Sequence, residues 1–198
     1  MKKLMSLSFI TLLGLITTPL FAQQNATEKK PKLDTIHVTV LEIPEKEMDK
    51  LNDELSHKEA IQALKSQQFV LEADQIIFKN GVTRYVSTIT NFVMMDKDKS
   101  TVQVAFNYGF AGPNGVGGVT VDGSVSKVEM KMDKKGNATY SFNTMGTGLS
   151  AQIYITLYEG SNDARVTISP TFNSHTFTLR GRLIPLDQSS VFKGMVSY

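Results

Sequence analysis

From Phe69 onward, apolar residues recur at every second position with no helical stretch between them, and that period decides the fold class. The clearest run sets Val102, Val104, Phe106, Tyr108 and Phe110 on one face, with Thr101, Gln103, Ala105 and Asn107 on the other. One side of such a strand is dry and the other meets water. Phe69 to Phe78 opens the series, Thr83 to Met95 follows the Asn80-Gly81 turn, and Asp96 to Ser100 forms a polar corner. Two hairpins come later, one turning at Lys134 to Asn137 and one at Gly160 to Asp163, where the residues tolerate positive φ. Phe177, Leu179 and Leu183 then alternate with Thr176, Thr178 and Arg180, and the tail from Ser189 is expected to add a last edge strand.

The inward parity slips once. Val119, Val121 and Val125 are odd-numbered, whereas Val128, Met130 and Met132 are even. A one-residue slip otherwise turns every later side chain outward, so a β-bulge or a break is predicted between Val125 and Val128. About eight strands joined by short turns make an antiparallel meander, which removes its exposed edges by closing or nearly closing. The expected fold is mainly β, a lipocalin-like barrel with an N-terminal helical segment.

Ahead of Phe69 the texture differs. Ile36, Val38 and Val40 form a short strand candidate ended by Pro44. Met48, Leu51 and Leu55 then give a narrow apolar stripe on a charged helix from Glu45 to Leu55. Ser56 with Glu59 three residues on has the form of a capping box, which predicts a second helix buried through Ile61 and Leu64.

Residues 1–22 read as a secretory signal: Lys2 and Lys3, an apolar run from Leu4 to Ile16, Pro19, and small Ala22 before a polar stretch. A membrane anchor needs about 20 sustained apolar residues, and Thr17, Thr18 and Pro19 interrupt this run too early. The chain therefore divides into a leader over 1–22, an extension over 23–56, and a helix plus barrel over 57–198. Export to the periplasm or beyond the cell is expected, with no transmembrane segment in the mature chain. An outer-membrane barrel is disfavoured, because the apolar faces are short and the opposite faces carry Thr, Ser, Gln and Lys rather than a lipid band.

Composition excludes several chemistries. Zero Cys removes disulfides, Cys-ligated metal and a thiol nucleophile. Of 21 basic residues, two leave with Lys2 and Lys3, and the remaining 19 match 19 acids, so the mature chain has no electrostatic footprint for nucleic acid. His37, His57 and His175 are scattered without metal-ligand spacing and read as solvent-facing polar positions. Asp96, Asp98 and Ser100 imitate a calcium loop, but Thr101 stands where Gly is needed and Asn107 where Glu is needed. The Gly-rich loop of Gly112, Gly115, Gly117 and Gly118 lacks the Lys-Ser/Thr and helix of a phosphate cradle. Gly148 and Ser150 resemble half a nucleophile elbow, with Gln152 at the second Gly position and no helix to follow. Met94, Met95, Met130, Met132 and Met145 are assigned to core filling rather than to soft-metal binding. Neither a metal nor a cofactor is expected.

The aromatics Phe106, Tyr108, Phe110, Tyr140, Phe142, Tyr154, Tyr158 and Phe177 lie on successive strands, and they either line one cavity or pack it solid. Tyr108, Phe110 and Asn114 are the candidate ligand-binding residues, because long Gly-rich loops at a barrel mouth are where sites tend to be placed.

Several weak motifs occur in a familiar order: Glu59-Ala60-Ile61 leading to Gln68-Phe69-Val70-Leu71-Glu72-Ala73, then Tyr108-Gly109 with its Gly-rich loop. Lys134-Lys135-Gly136 before Tyr140-Ser141-Phe142, and Phe177-Thr178-Leu179-Arg180-Gly181-Arg182-Leu183, complete the series. Over roughly residues 57 to 184 the chain resembles domain-of-unknown-function family 4251 (DUF4251), small exported proteins of Bacteroidota. The resemblance implies a signal or lipoprotein leader, a helix feeding a lipocalin-like β-rich domain, and no established activity or catalytic residues. Members often read Leu-Pro-Tyr before the Gly, where this chain has Ala105, Phe106 and Asn107, and residues 33 to 55 look like an addition. The reading is an exported, non-enzymatic β-domain that binds an apolar small molecule or an envelope protein. The alternatives are an envelope hydrolase whose site assembles only in three dimensions, and an interaction module pairing through an edge strand.

Overall fold

The computed structural model describes residues 44–105, 118–147, 149–171 and 176–194. Helix α1 (Glu45–Ser66) comes first. Nine strands follow: β1 (Gln68–Phe78), β2 (Thr83–Tyr85), β3 (Phe92–Asp96), β4 (Lys99–Ala105), β5 (Gly118–Met132), β6 (Ala138–Gly146), β7 (Leu149–Leu157), β8 (Asp163–Pro170) and β9 (Phe177–Pro185). A short 3-10 turn, Leu186–Gln188, comes after β9. Eight strands close an antiparallel ring in the order β1-β3-β4-β5-β6-β7-β8-β9, with β9 returning to pair along most of β1. The expected barrel is therefore present, and β2 is an addition to it. It lies against Gln75 to Ile77 of β1, beyond the Gln68 to Glu72 segment that β3 occupies.

The single strand expected from Thr83 to Met95 is divided at residues 86–91, and the reason is Asn91. Its amide donates to the Ser87 carbonyl at 3.0 Å, and its side-chain oxygen accepts the Ala105 backbone N–H at 2.8 Å. A buried Asn that satisfies the backbone in this way replaces the ladder bonds that the bend gives up.

The helical region also differs from expectation. α1 runs unbroken through Ser56, whose hydroxyl bonds back to the Asp53 carbonyl at 2.9 Å instead of capping a new helix. Glu45 and Glu47 in the first turn and Lys65 in the last suit the helix dipole. Gln67 ends the helix in the left-handed region, with its N–H bonded to the Ala63 and Leu64 carbonyls. Only the C-terminal half is anchored. Ala60, Ala63 and Leu64 join the barrel core, and burying Leu64 alone contributes about 2 kcal/mol.

Inside the ring, Phe69, Leu71, Met95, Val102, Phe142, Ile153, Ile155, Val166, Leu179 and Leu183 form one core. The parity slip is absorbed where it was expected. The register of β5 on β6 jumps between Ser126 and Glu129, so Lys127 and Val128 together face the one residue Phe142, and Lys127 takes φ +52°. Val125 before the bulge and Val128 and Met130 after it all pack against the core.

The face of β4 that was expected to be wet is not. Thr101, Gln103 and Ala105 are buried, because residues 189–194 run across the outside of β3, β4 and β5. That stretch forms no strand, which corrects the expected edge strand over its described part. Among the described residues, no helix is long and apolar enough to cross a membrane.

Candidate functional site

The barrel interior is bridged side to side by aromatic residues. In the eight-membered ring β1 and β6 stand opposite each other. Phe69 of β1 meets Tyr140 of β6 edge to face, with ring centroids 5.6 Å apart and planes at 85°. Tyr140 also meets Phe142 at 6.2 Å, and its hydroxyl donates to Met95 Sδ of β3 at 3.3 Å. Contacts that span the barrel leave no lumen at that level, so the packed alternative holds for these aromatics. Burial pushes the Tyr140 phenol up to about 12. Phe177 packs against the same core, whereas Tyr154 and Tyr158 are exposed on the outside, so the aromatics do not converge on one cavity. Among the described residues, no buried side-chain nitrogen or oxygen lacks a partner.

The candidate residues Tyr108, Phe110 and Asn114 lie outside the described residues. Their flanks do not. Ala105 pairs with Gly118 at the end of β4 remote from α1, so the connection leaves the barrel at the end opposite the helix. A side chain at Gly118 would drive into the backbone carbonyl of Val104, which explains the glycine where the chain re-enters the sheet.

A cleft of about 630 Å3 lies where β4, β5 and the β6–β7 turn meet. Asp122 organises it. Thr101 Oγ1 donates to Asp122 Oδ1 at 2.6 Å, and Lys193 Nζ to Oδ2 at 2.7 Å. Partial burial by itself would raise the Asp122 carboxyl, but hydrogen bonds from Lys193 and Thr101, with the Lys193 charge, outweigh it and hold the carboxyl below its ordinary value. Next to it the Ser100 and Thr144 hydroxyls bond to each other at 2.6 Å. Each of these polar groups already has a partner. The arrangement fastens the C-terminal segment to the barrel wall.

Gln103 does the same more completely, and nothing in the sequence marked it. It is fully buried. Its amide donates to the carbonyls of Thr90 at 3.1 Å and Phe192 at 2.8 Å. Its oxygen accepts from the Thr120 hydroxyl at 2.8 Å and the Gly194 N–H at 2.7 Å. The full hydrogen-bonding capacity of one amide thus joins two strands, the 86–91 bend and the tail.

The remaining sequence candidates are dispersed. His57 is half-buried rather than solvent-facing, and it sits 2.8 Å from the Ser161 carbonyl through Nδ1. A carbonyl only accepts, so Nδ1 carries the proton and ties α1 to the β7–β8 turn. His37 and His175 lie outside the described residues. Ser150 accepts a hydrogen bond from the Thr171 hydroxyl at 3.3 Å, within strand surroundings. Asp96 and Lys99 pair directly in the ladder, leaving Lys97 and Asp98 as a tight charged corner. Met95 is buried inside while Met132 and Met145 are exposed, so the methionines share no site. No group of three or more His, Asp or Glu that could hold a metal occurs among the described residues.

A family model described as Domain of unknown function (DUF4251) matches residues 52–183. The crystal structure of a DUF4251 family protein from Bacteroides eggerthii aligns with a TM-score of 0.64 at 54% sequence identity, covering 72% of this chain and 96% of that one. No curated protein matches.

Proposed function

The chain belongs to the DUF4251 family, and from that premise we propose that it is an exported, non-enzymatic β-barrel domain that binds an apolar group of an envelope component at its loop-bearing mouth. The observation that carries this reading is the Phe69–Tyr140 contact across the barrel, since a filled interior leaves recognition to the surface and the mouth. The connection over residues 106–117 is far longer than the turns between the other paired strands. It carries Tyr108 and Phe110 as apolar anchors and Asn114 as a polar one. Against catalysis stand the local duties of the reactive side chains: His57 bonds to a backbone carbonyl, Ser150 to Thr171, and Asp122 to Lys193. The order of Lys2, Lys3, an apolar run and Ala22 supports a leader over 1–22 and a periplasmic or extracellular destination. Residues 23–56 then act as an extension to the domain over 57–198.

The test has two parts. Protein recovered from the periplasmic or medium fraction is expected to begin at Gln23, and an intact Met1 there refutes export by this leader. Native mass spectrometry of the mature protein, after incubation with envelope lipid extract, is expected to give a bound mass that Tyr108→Ser with Phe110→Ser abolishes. A clean apo mass, or one the substitutions leave unchanged, refutes the mouth as the site.

A further inference from the structure

We propose that the projecting half of α1 is a docking surface for a basic amphipathic helix of a partner protein. Beyond the part held by Ala60, Ala63 and Leu64, residues 45–55 are exposed throughout. Met48, Leu51 and Leu55 stand at steps of three and four, and they are 44%, 50% and 56% exposed. At 100° per residue these three share one side of the helix, about 150° around the axis from the barrel-facing residues. No described part of the chain covers them. Three large apolar side chains in line over about 10 Å of helix form the seam by which helices pack on one another.

The rim of that seam identifies its occupant. Glu47 and Glu54 flank it on one side, and Glu45, Asn52 and Glu59 on the other, all exposed. Lys58 closes the seam toward the barrel, and Lys50 answers Glu54 only loosely at 3.8 Å. A second copy of this chain would set glutamate against glutamate at the flanking positions, which is unfavourable. Anionic lipid headgroups would meet the same rim. A helix with Leu-like residues on one stripe and Lys or Arg beside them satisfies both the seam and its border. The family match begins at residue 52, so Met48 and the paired Glu45 and Glu47 lie outside what that match covers. This surface is at the opposite end of the barrel from Ala105 and Gly118 and is independent of the mouth site.

Fluorescence anisotropy with two synthetic helical peptides tests it. Both carry Leu at a and d positions; one carries Lys at e and g, the other Glu. The mature protein is expected to bind the Lys peptide at least tenfold more tightly than the Glu peptide, and more weakly as salt rises. Leu51→Asp with Leu55→Asp is expected to weaken Lys-peptide binding at least tenfold with circular dichroism unchanged, since these side chains lie outside the core. Glu47→Lys with Glu54→Lys is expected to shift preference toward the Glu peptide. Equal binding of both peptides, binding that survives the Asp substitutions, or no binding to either overturns the proposal. So does sedimentation showing a dimer that Leu51→Asp dissolves, or binding that emerges only when residues 23–43 are deleted, since each assigns the seam a different occupant.

Discussion

Tyr140→Phe separates a packed barrel from a hollow one by the sign of its effect at two pH values. In the native protein the phenol sits within the core, 1% exposed, with one hydrogen bond to Met95 Sδ. Removing the hydroxyl at pH 8 forfeits that weak bond, at a cost of about 0.5–1 kcal/mol. In alkali the balance reverses. An unfolded tyrosine ionises near 10, whereas burial pushes the folded Tyr140 up to about 12. A folded value raised in this way leaves stability intact below pH 10, and stability is then lost progressively as pH climbs toward 12. At pH 11.5 the loss amounts to about 2 kcal/mol from this one group. Phenylalanine carries no such proton, so the variant is expected to be the less stable protein at pH 8 and the more stable one at pH 11.5, by about 1 kcal/mol. Lysine deprotonation affects both proteins alike and cancels in the comparison. Urea unfolding followed by circular dichroism at the two pH values measures it, with the m-value checked for constancy. A variant that stays the less stable protein at pH 11.5 by the same margin as at pH 8 would mean that Tyr140 titrates as though in water, and the filled interior behind the proposed mouth site would be refuted.

The other predictions address the tail and the bulge. Gln103→Leu roughly keeps the volume but strands two carbonyls and an N–H, so a loss of about 2–4 kcal/mol is expected, with trypsin cutting at Lys193 in the variant before the native protein; unchanged proteolysis would contradict the strap. Deleting Lys127 takes out the extra residue of the bulge and leaves Val128 alone opposite Phe142, with Val125, Val128 and Met130 all inward in strict alternation, so a change within about 1 kcal/mol is expected by urea unfolding, and a loss of several kcal/mol would mean that the bulge itself is needed to close the barrel. Lys127→Gly, relieved at φ +52°, is expected to be neutral or to gain up to about 1 kcal/mol. Because the Asp122 carboxyl is held below 3.8, its contribution is present above that pH and is lost as pH falls through the lowered folded value. Lys193→Ala is therefore expected to lower the melting temperature slightly near neutrality, worth under about 1 kcal/mol for a half-exposed pair. That difference is expected to shrink progressively in melts taken at successively lower pH below 3.8, as Asp122 is protonated in the folded protein.

The bulge at Lys127 and the cover over Gln103 show what kind of information a sequence carries about this barrel. The parity slip was readable because both halves of β5 spend valine and methionine on the same wall, and a wall that changes from odd to even positions needs a bulge or a break at the change, of which the structure has the bulge. Gln103 gave no such sign. In the alternation of β4 it occupies the position of any solvent-facing amide, and its burial arises from a segment about 90 residues away, which local patterning cannot register. Ser56 illustrates the converse, a local signal overruled. Its spacing to Glu59 has the capping form, yet Ala60, Ala63 and Leu64 seat the helix on the barrel, and continuing the same helix through Ser56 satisfies more backbone than restarting it there. Asn91 divides a strand for the same reason, since its side chain completes a hydrogen-bond set that only the folded neighbours supply. What was legible is thus the set of faces that must be dry, and what was not is the set of polar groups that become dry because something distant lies over them. The candidate site follows that division. Tyr108, Phe110 and Asn114 stand out by sequence pattern alone, whereas the buried polar residues that organise the outer wall, Gln103 and Asn91, emerge only once the tail and the bend are in place. A barrel sealed inside by Phe69 and Tyr140, and strapped outside through Gln103 and Asp122, has little freedom left in its walls. The two proposed recognition sites accordingly lie off these walls, one at the mouth beyond Ala105 and Gly118 and the other on the exposed residues 45–55 of α1.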